Sequence, residues 1–115
     1  MRKRSRTCRP WEVVVVPFPF VEGGGTKRRP ALVISAQAFG PSGHAVLAMI
    51  TTSARRTWPG DVELLDYGDA GLHRPCILRL KLFTLDRRLI LETVGRLSTR
   101  DRDSVRGSLR RFLTA

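Results

Sequence analysis

The sequence has 115 residues, of which 42% are hydrophobic, and this length and composition fit one globular domain with a single core. Lysine and arginine total 21 against 10 acidic residues, so the formal net charge is +11, which favours a polyanionic partner such as nucleic acid. Two cysteines give no disulfide framework, and no run approaches the roughly 18 apolar residues of a membrane span. We therefore expect a cytoplasmic protein that binds no membrane.

The first ten residues differ from the rest of the chain. Five cations and almost no apolar side chains lie within the first nine positions, so residues 1–10 are predicted to be a flexible basic arm. Residues 11–115 are predicted to form one domain, in which short runs rich in β-branched residues alternate with turn signals. This pattern is typical of a small all-β barrel or sandwich. The predicted strands are residues 13–18, 31–35, 45–51, 62–65, 76–83 and 91–97.

The C-terminal end has a helical pattern. Ser98 is a candidate N-cap, with Asp101 three residues later in a capping-box-like pair. The apolar side chains that follow at the spacing of one helical face are Val105, Leu109, Phe112 and Leu113. The sequence therefore predicts a mainly β barrel with a C-terminal α-helix packed on it.

Six segments of the domain carry a resemblance to a known family. They are residues 16–20 (VPFPF), 27–35 (KRRPALVIS), 48–51 (AMIT), 58–62 (WPGDV), 81–86 (KLFTLD) and 95–98 (GRLS). In this order and spacing they resemble the MazF/PemK toxins of type II toxin–antitoxin systems, from about Trp11 to the C-terminus. The resemblance implies an SH3-like barrel, a homodimer and a cognate antitoxin of the MazE/PemI type. It also implies that operator DNA is contacted only through the antitoxin.

The resemblance also implies an activity and two catalytic residues. Arg29 matches the family's arginine before the proline of the second strand, and Thr51 matches its threonine at the end of the third strand. The adjacent Thr52 leaves an alternative register for the threonine. The implied reaction is sequence-specific cleavage of single-stranded RNA by its own 2′-hydroxyl, giving 2′,3′-cyclic phosphate and 5′-hydroxyl ends without a metal or other cofactor. Guanidinium and hydroxyl donors suit the negative charge that develops on phosphorus.

Substrate binding is predicted for the loops after the first and third strands and for the fifth strand. Cations there suit phosphates, and Trp58 suits either stacking on an unstacked base or closing the end of the barrel. The predicted RNA-binding residues are Lys27, Arg28, Thr52, Ser53, Arg55, Arg56, Trp58, Arg79 and Lys81.

Two features leave other functions open. Many members of the family carry an acidic residue between an arginine and the Lys-Leu-Phe segment, but here Leu80 separates Arg79 from Lys81. A non-catalytic barrel that binds nucleic acid or poisons gyrase is therefore an alternative, and a small interaction domain without toxicity is another. His73 and Cys76 have the spacing of a metal-ligand pair, but a zinc site needs a second such pair.

Overall fold

The protein folds as a half-barrel of six antiparallel strands followed by one α-helix. The computed structural model describes residues 6–19, 27–52 and 56–115. The strand order in the sheet is β4-β5-β3-β2-β1-β6. The elements are β1 (Glu12–Phe18), β2 (Lys27–Val33), β3 (His44–Thr51), β4 (Val62–Glu63), β5 (Ile77–Asp86), β6 (Glu92–Arg96) and α1 (Thr99–Leu113). The predicted fold class, mainly β with a C-terminal helix, is confirmed.

Both faces of the sheet bury apolar side chains, because successive side chains of a strand point to opposite faces. The helix-side core contains Val13, Leu32, Ala48, Ile50, Leu64, Ala70, Cys76, Leu78, Leu97 and Val105. The second core contains Val14, Val16, Ala31, Val33, Ala45, Leu47, Leu85 and Ile90. Burying a side chain of this size contributes about 1.5 to 3 kcal/mol, so the two cores dominate the stability of the fold.

Strand boundaries differ from the prediction where strands carry charged residues. β2 begins at Lys27 because Lys27, Arg28 and Arg29 pair with the end of β1. Similarly, β5 continues to Asp86 because it pairs with β3 as far as His44. Apolar periodicity does not mark these positions, so the sequence placed residues 27–30 and 84–86 outside strands.

Helix α1 begins as predicted. The Ser98 hydroxyl accepts a hydrogen bond from the backbone N–H of Asp101. Val105 is buried, but Phe112 and Leu113 are 44% and 45% exposed, so the last turn of the predicted apolar face is only partly covered. In the described part of the chain, no helix has the length and apolar character required to cross a bilayer.

A close approach fixes the position of α1 over the sheet. The Ser108 hydroxyl donates to the carbonyl oxygen of Gly60, which has a φ of 89°. A Cβ at residue 60 would lie 2.5 Å from the Leu80 side chain and 3.1 Å from that of Phe112. Glycine is therefore required here both for the left-handed backbone and for the contact.

The described part of the arm, residues 6–10, packs on the sheet. The Thr93 hydroxyl donates to the carbonyl oxygen of Thr7, and the Thr7 hydroxyl donates to Glu12 at 2.9 Å. Cys8 packs against the second core, and this burial raises the pKa of its thiol. Order therefore begins before Trp11, because hydrogen bonds to β1 and β6 compensate for the lack of apolar side chains. Residues 1–5 of the predicted arm lie outside the described residues.

The carboxylate of Asp66 is expected to make the fold sensitive to acid. It accepts two hydrogen bonds of 2.7 Å from Arg100 and one of 2.6 Å from Ser98. These bonds, above all those from Arg100, lower the pKa of Asp66 to about 2. Because the unfolded pKa is near 3.9, the stabilisation is present above about pH 4 and is lost as the pH falls to about 2.

Urea titrations between these pH values test this expectation. In Asp66→Asn, the urea concentration at the midpoint of unfolding should decrease less with falling pH than it does in wild type. Asp103→Asn removes an equal charge from the exposed side of α1, and its midpoint should decrease with pH as in wild type. Parallel acid curves for wild type and Asp66→Asn would contradict the assignment.

Candidate functional site

A pocket of about 340 Å³ opens at one end of the sheet. It lies where β1 ends, β2 begins and β3 ends, and β5 forms the remaining wall. The residues that line it are Phe18, Arg29, Met49, Ile50, Thr51, Arg79, Lys81, Leu82 and Phe83. Three cationic side chains and one hydroxyl therefore share a pocket with apolar and aromatic groups, an arrangement that suits a phosphate next to a nucleobase.

Strand register places Arg29 beside Thr51. Ala31 pairs with Met49 at the end of the β2–β3 ladder, and Arg29 and Thr51 each lie two residues beyond this pair on their strands. Alternation turns both side chains to the face of the second core. Neighbouring strands lie about 4.8 Å apart, so one ligand can contact both side chains. The structure thus brings the two predicted catalytic residues to one pocket.

The environment of Arg29 leaves its guanidinium accessible. The residue is exposed, and its Cζ atom lies 5.6 Å from the centre of the Phe18 ring. Pro30 follows directly, which favours extended backbone at Arg29 and carries it in strand geometry to the pocket. Thr51, the last residue of β3, is half-buried. A cation held near an aromatic ring and a hydroxyl on a strand can act together on an anion.

Arg79 is fixed by the carboxylate of Asp61, for which the sequence predicted no role. Its Nε and Nη2 atoms donate to the two oxygens of Asp61, at 3.1 and 2.9 Å. Nη2 also donates to the carbonyl oxygen of Arg56 at 2.9 Å. The hydrogen bond from Arg79 lowers the pKa of Asp61, and Asp61 in turn raises the pKa of Arg79. The pair therefore stays ionised at neutral pH.

Trp58 belongs to the same cluster. Its backbone N–H donates to Asp61 at 2.9 Å, and its ring lies 4.8 Å from the Cζ atom of Arg79. The side chain is 42% exposed, so it does not close the end of the barrel as a buried plug would. The indole can present exposed ring surface to a base.

Register also explains how Asp61 reaches Arg79. Val62 pairs with Leu78, and one further residue along each strand brings Asp61 opposite Arg79. The segment 58–62 was part of the family resemblance, but no role was assigned to its carboxylate. Antiparallel pairing of the predicted strands β4 and β5 is the signal that would have indicated the contact between Asp61 and Arg79.

The other predicted RNA-binding residues are distributed around and away from the pocket. Lys81 lines it, and Lys27 lies two residues before Arg29 on the same side of β2. Arg28 points to the opposite face, where it pairs with Glu92 at 3.7 Å. Thr52 lines a neighbouring hollow of about 400 Å³. The remaining predicted residues, Ser53 and Arg55, lie outside the described residues.

The histidine and cysteine residues lie outside the pocket. His44 begins β3 at the far end of the sheet, and His73 is exposed. Cys76 is buried and its thiol donates to the carbonyl oxygen of Arg74 at 3.2 Å. Among residues 6–19, 27–52 and 56–115, no three His, Cys, Asp or Glu side chains are grouped so that they could hold a metal ion.

The fold is similar to that of solved structures that are named as endoribonucleases and MazF toxins. An endoribonuclease in complex with its cognate antitoxin from Mycobacterial species has a TM-score of 0.73 at 18% identity, covering 93% of this chain and 95% of that chain. The MazE-MazF complex (Form-III) from Deinococcus radiodurans has a TM-score of 0.70 at 28% identity, covering 91% and 94%. Mycobacterium tuberculosis toxin MazF-mt6 has a TM-score of 0.68 at 18% identity, covering 87% and 93%.

The half-barrel and its basic pocket therefore define a protein of the MazF-type toxin class. Residues 9–113 match the sequence profile of the family described as PemK-like, MazF-like toxin of type II toxin-antitoxin system. The chain belongs to this family, as the six sequence segments indicated. Among curated proteins, no sequence matches the chain significantly.

Proposed function

We propose that the protein is a toxin that cleaves single-stranded RNA, mRNA included, at specific sequences in the pocket between β2, β3 and β5. The observation that carries this proposal is that Arg29 and Thr51 line one pocket together with Arg79 and Lys81. Structures with the same fold are named endoribonucleases. These observations support an RNA phosphodiester as the substrate.

The proposed reaction is an internal displacement at phosphorus. The substrate's 2′-oxygen forms a bond to the adjacent phosphorus, the bond to the 5′-oxygen breaks, and the products carry a 2′,3′-cyclic phosphate and a 5′-hydroxyl. The 2′-hydroxyl proton passes to water and the leaving 5′-oxygen takes a proton from water. Water is assigned as the proton carrier here, and the described residues that line the pocket include no His, Asp, Glu or Cys.

The role of Arg29 in this reaction is to stabilise charge. Its guanidinium donates to the non-bridging phosphate oxygens, whose negative charge grows as phosphorus becomes five-coordinate, and Thr51 adds one hydroxyl donor. An arginine side chain with a pKa above about 12 is a poor base at neutral pH, so proton transfer is not assigned to Arg29. A metal is not required, since these donors supply the positive field.

Binding of the substrate is assigned to the surrounding side chains. Lys81 contacts a phosphate as a mobile point charge, whereas Arg79 is held in one orientation by Asp61. The exposed indole of Trp58 stacks on an unstacked base, an interaction worth about 1 to 3 kcal/mol. Hydrogen-bonding groups next to the indole then provide the sequence preference.

We further propose that the toxin works as a cytoplasmic homodimer that a MazE/PemI-like antitoxin inhibits, with operator DNA contacted only through that antitoxin. Two of the similar structures are complexes of a toxin with its antitoxin, which supports the pairing. Size measurement of the purified chain alone and with the product of the neighbouring gene tests the homodimer and the pairing with an antitoxin.

Cleavage in chelator is the direct test. The purified protein is incubated with single-stranded RNA of mixed sequence in EDTA, and the fragment ends are analysed for cyclic phosphate and 5′-hydroxyl and then sequenced. We expect short products that share a sequence at the cut. Intact RNA under all conditions would contradict the proposal and favour a non-catalytic barrel that binds nucleic acid or gyrase.

The ion pair between Asp61 and Arg79 is expected to affect substrate binding. Asp61→Ala removes the carboxylate that orients Arg79, so the KM for RNA should rise about 10-fold, as expected for one charge-assisted contact of about 1.4 kcal/mol. The rate constant at saturating RNA should change little. Glu63→Ala, an exposed carboxylate in β4, is the control. Equal KM values for Asp61→Ala and wild type would contradict this role.

A further inference from the structure

A second concentration of positive charge lies at the end of the sheet opposite to the pocket. We propose that this surface binds the phosphate backbone of the RNA strand that flanks the cleaved bond, an inference that rests on the proposed function. It consists of Arg6, Arg9, Arg87 and Arg88 around His44, and we call it the flank surface. None of these residues lines the pocket that contains Arg29.

Strands β3 and β5 connect the two sites. At the pocket end Thr51 pairs with Ile77, and at the other end His44 pairs with Asp86. Seven residue steps along β3, at about 3.3 Å each, separate the two ends by about 23 Å. A single strand bound in the pocket can therefore continue along the sheet to the flank surface over several nucleotides, within the about 4 to 16 that small barrels cover.

The flank surface contains two adjoining hollows of about 220 and 530 Å³, which share His44 and Arg87. Four arginines line them, and Asp86 is the one carboxylate among the described lining residues. Asp86 accepts three hydrogen bonds from the Arg88 guanidinium, at 2.9, 3.2 and 3.3 Å. The net charge of the lining is therefore positive, which attracts a polyanion.

The N-terminal segment and the end of β5 hold the arginines of the flank surface in place. The backbone N–H of Arg87 donates to the carbonyl oxygen of Gly43 at 3.0 Å, and the backbone N–H of Arg9 donates to Glu12 at 2.6 Å. These contacts anchor the backbone at Arg9 and Arg87, while both residues remain exposed to solvent. The backbone that carries Arg9 and Arg87 is therefore preorganised, which reduces the entropy lost on binding.

The chemistry of the lining favours phosphates over bases. Among the described residues that line the two hollows there is no Phe, Tyr or Trp, and the one ring on which a base could stack is the imidazole of His44. Arginine contacts to phosphate position a strand but do not discriminate between sequences. We therefore expect the flank surface to increase affinity for longer RNA without changing the cleaved sequence.

The test compares two RNAs that contain the cleaved sequence, one of about 5 nucleotides and one extended to about 16. In the double variant Arg9→Gln/Arg87→Gln, KM for the long RNA should rise about 10-fold, while kcat and KM for the short RNA stay unchanged. The slope of log affinity against log salt should decrease by about 1.4, because each lost single-strand phosphate contact contributes about 0.7.

The control is Arg110→Gln/Arg111→Gln, which removes the same charge from exposed positions of α1 and should leave the long RNA unaffected. The inference would be overturned if KM for the long RNA rose equally in both double variants. It would also be overturned if KM rose equally for the short and the long RNA in Arg9→Gln/Arg87→Gln. Either result would leave the proposed function intact. Failure of the wild type to cleave either RNA would instead overturn the proposed function. The salt slope for binding of uncleaved RNA would still decide whether the flank surface is used.

Discussion

Arg29→Ala is expected to lower the rate constant for RNA cleavage about 10²- to 10³-fold, which is the usual effect of removing one donor from a developing oxyanion. The fold should be unaffected, because Arg29 is exposed and its one described contact is with the Phe18 ring at 5.6 Å. Single-turnover cleavage with enzyme in excess measures the chemical step directly, and circular dichroism checks that the variant is folded.

Arg28→Ala provides a matched control, since it removes the same charge one residue earlier in β2. The Arg28 side chain points to the opposite face and pairs with Glu92, so the chemical step should change less than 3-fold, the equivalent of about 0.5 kcal/mol for a surface pair. If both variants lost activity equally, the effect would come from general charge and not from a donor at the phosphate. If Arg29→Ala kept wild-type activity, the proposed site would be wrong.

The fold was largely predictable because its cores leave a strong pattern in the sequence. The valine-rich run of β1 and the apolar run of β3 both appear at the predicted positions, within one residue at their starts. The Ser98 cap also fixed the start of α1. Buried β-branched strands and a capped helix are local signals, so they can be predicted without tertiary information.

The candidate site was only partly predictable. Arg29 and Thr51 were found through the resemblance, because an arginine before a proline and a threonine at a strand end are common in any sequence. Their proximity depends on the register of β2 with β3, which the local pattern does not specify. The pairing of Asp61 with Arg79 was missed for the same reason, since it depends on the register of β4 with β5.

Asp101→Ala is expected to reduce the free energy of unfolding by about 3 kcal/mol, from a total of about 5 to 15. Asp101 is 1% exposed, and its two carboxylate oxygens accept hydrogen bonds from the backbone N–H groups of Leu65 and Asp66, at 2.9 and 2.8 Å. Alanine removes both charge-assisted bonds, which tie the segment after β4 to the first turn of α1. Urea unfolding at pH 7 gives the difference.

Asp103→Ala is the control for this variant, because Asp103 is exposed on the same helix and its one described ion pair, with Arg106, is 3.8 Å long. Its effect should stay within about 0.5 kcal/mol, and a comparable loss in both variants would contradict the buried role of Asp101. Because Asp101 does not line the pocket, the folded fraction of Asp101→Ala should cleave RNA at the wild-type rate. Arg29→Ala should behave in the opposite way, with normal stability and slow cleavage, so the two variants separate folding from chemistry.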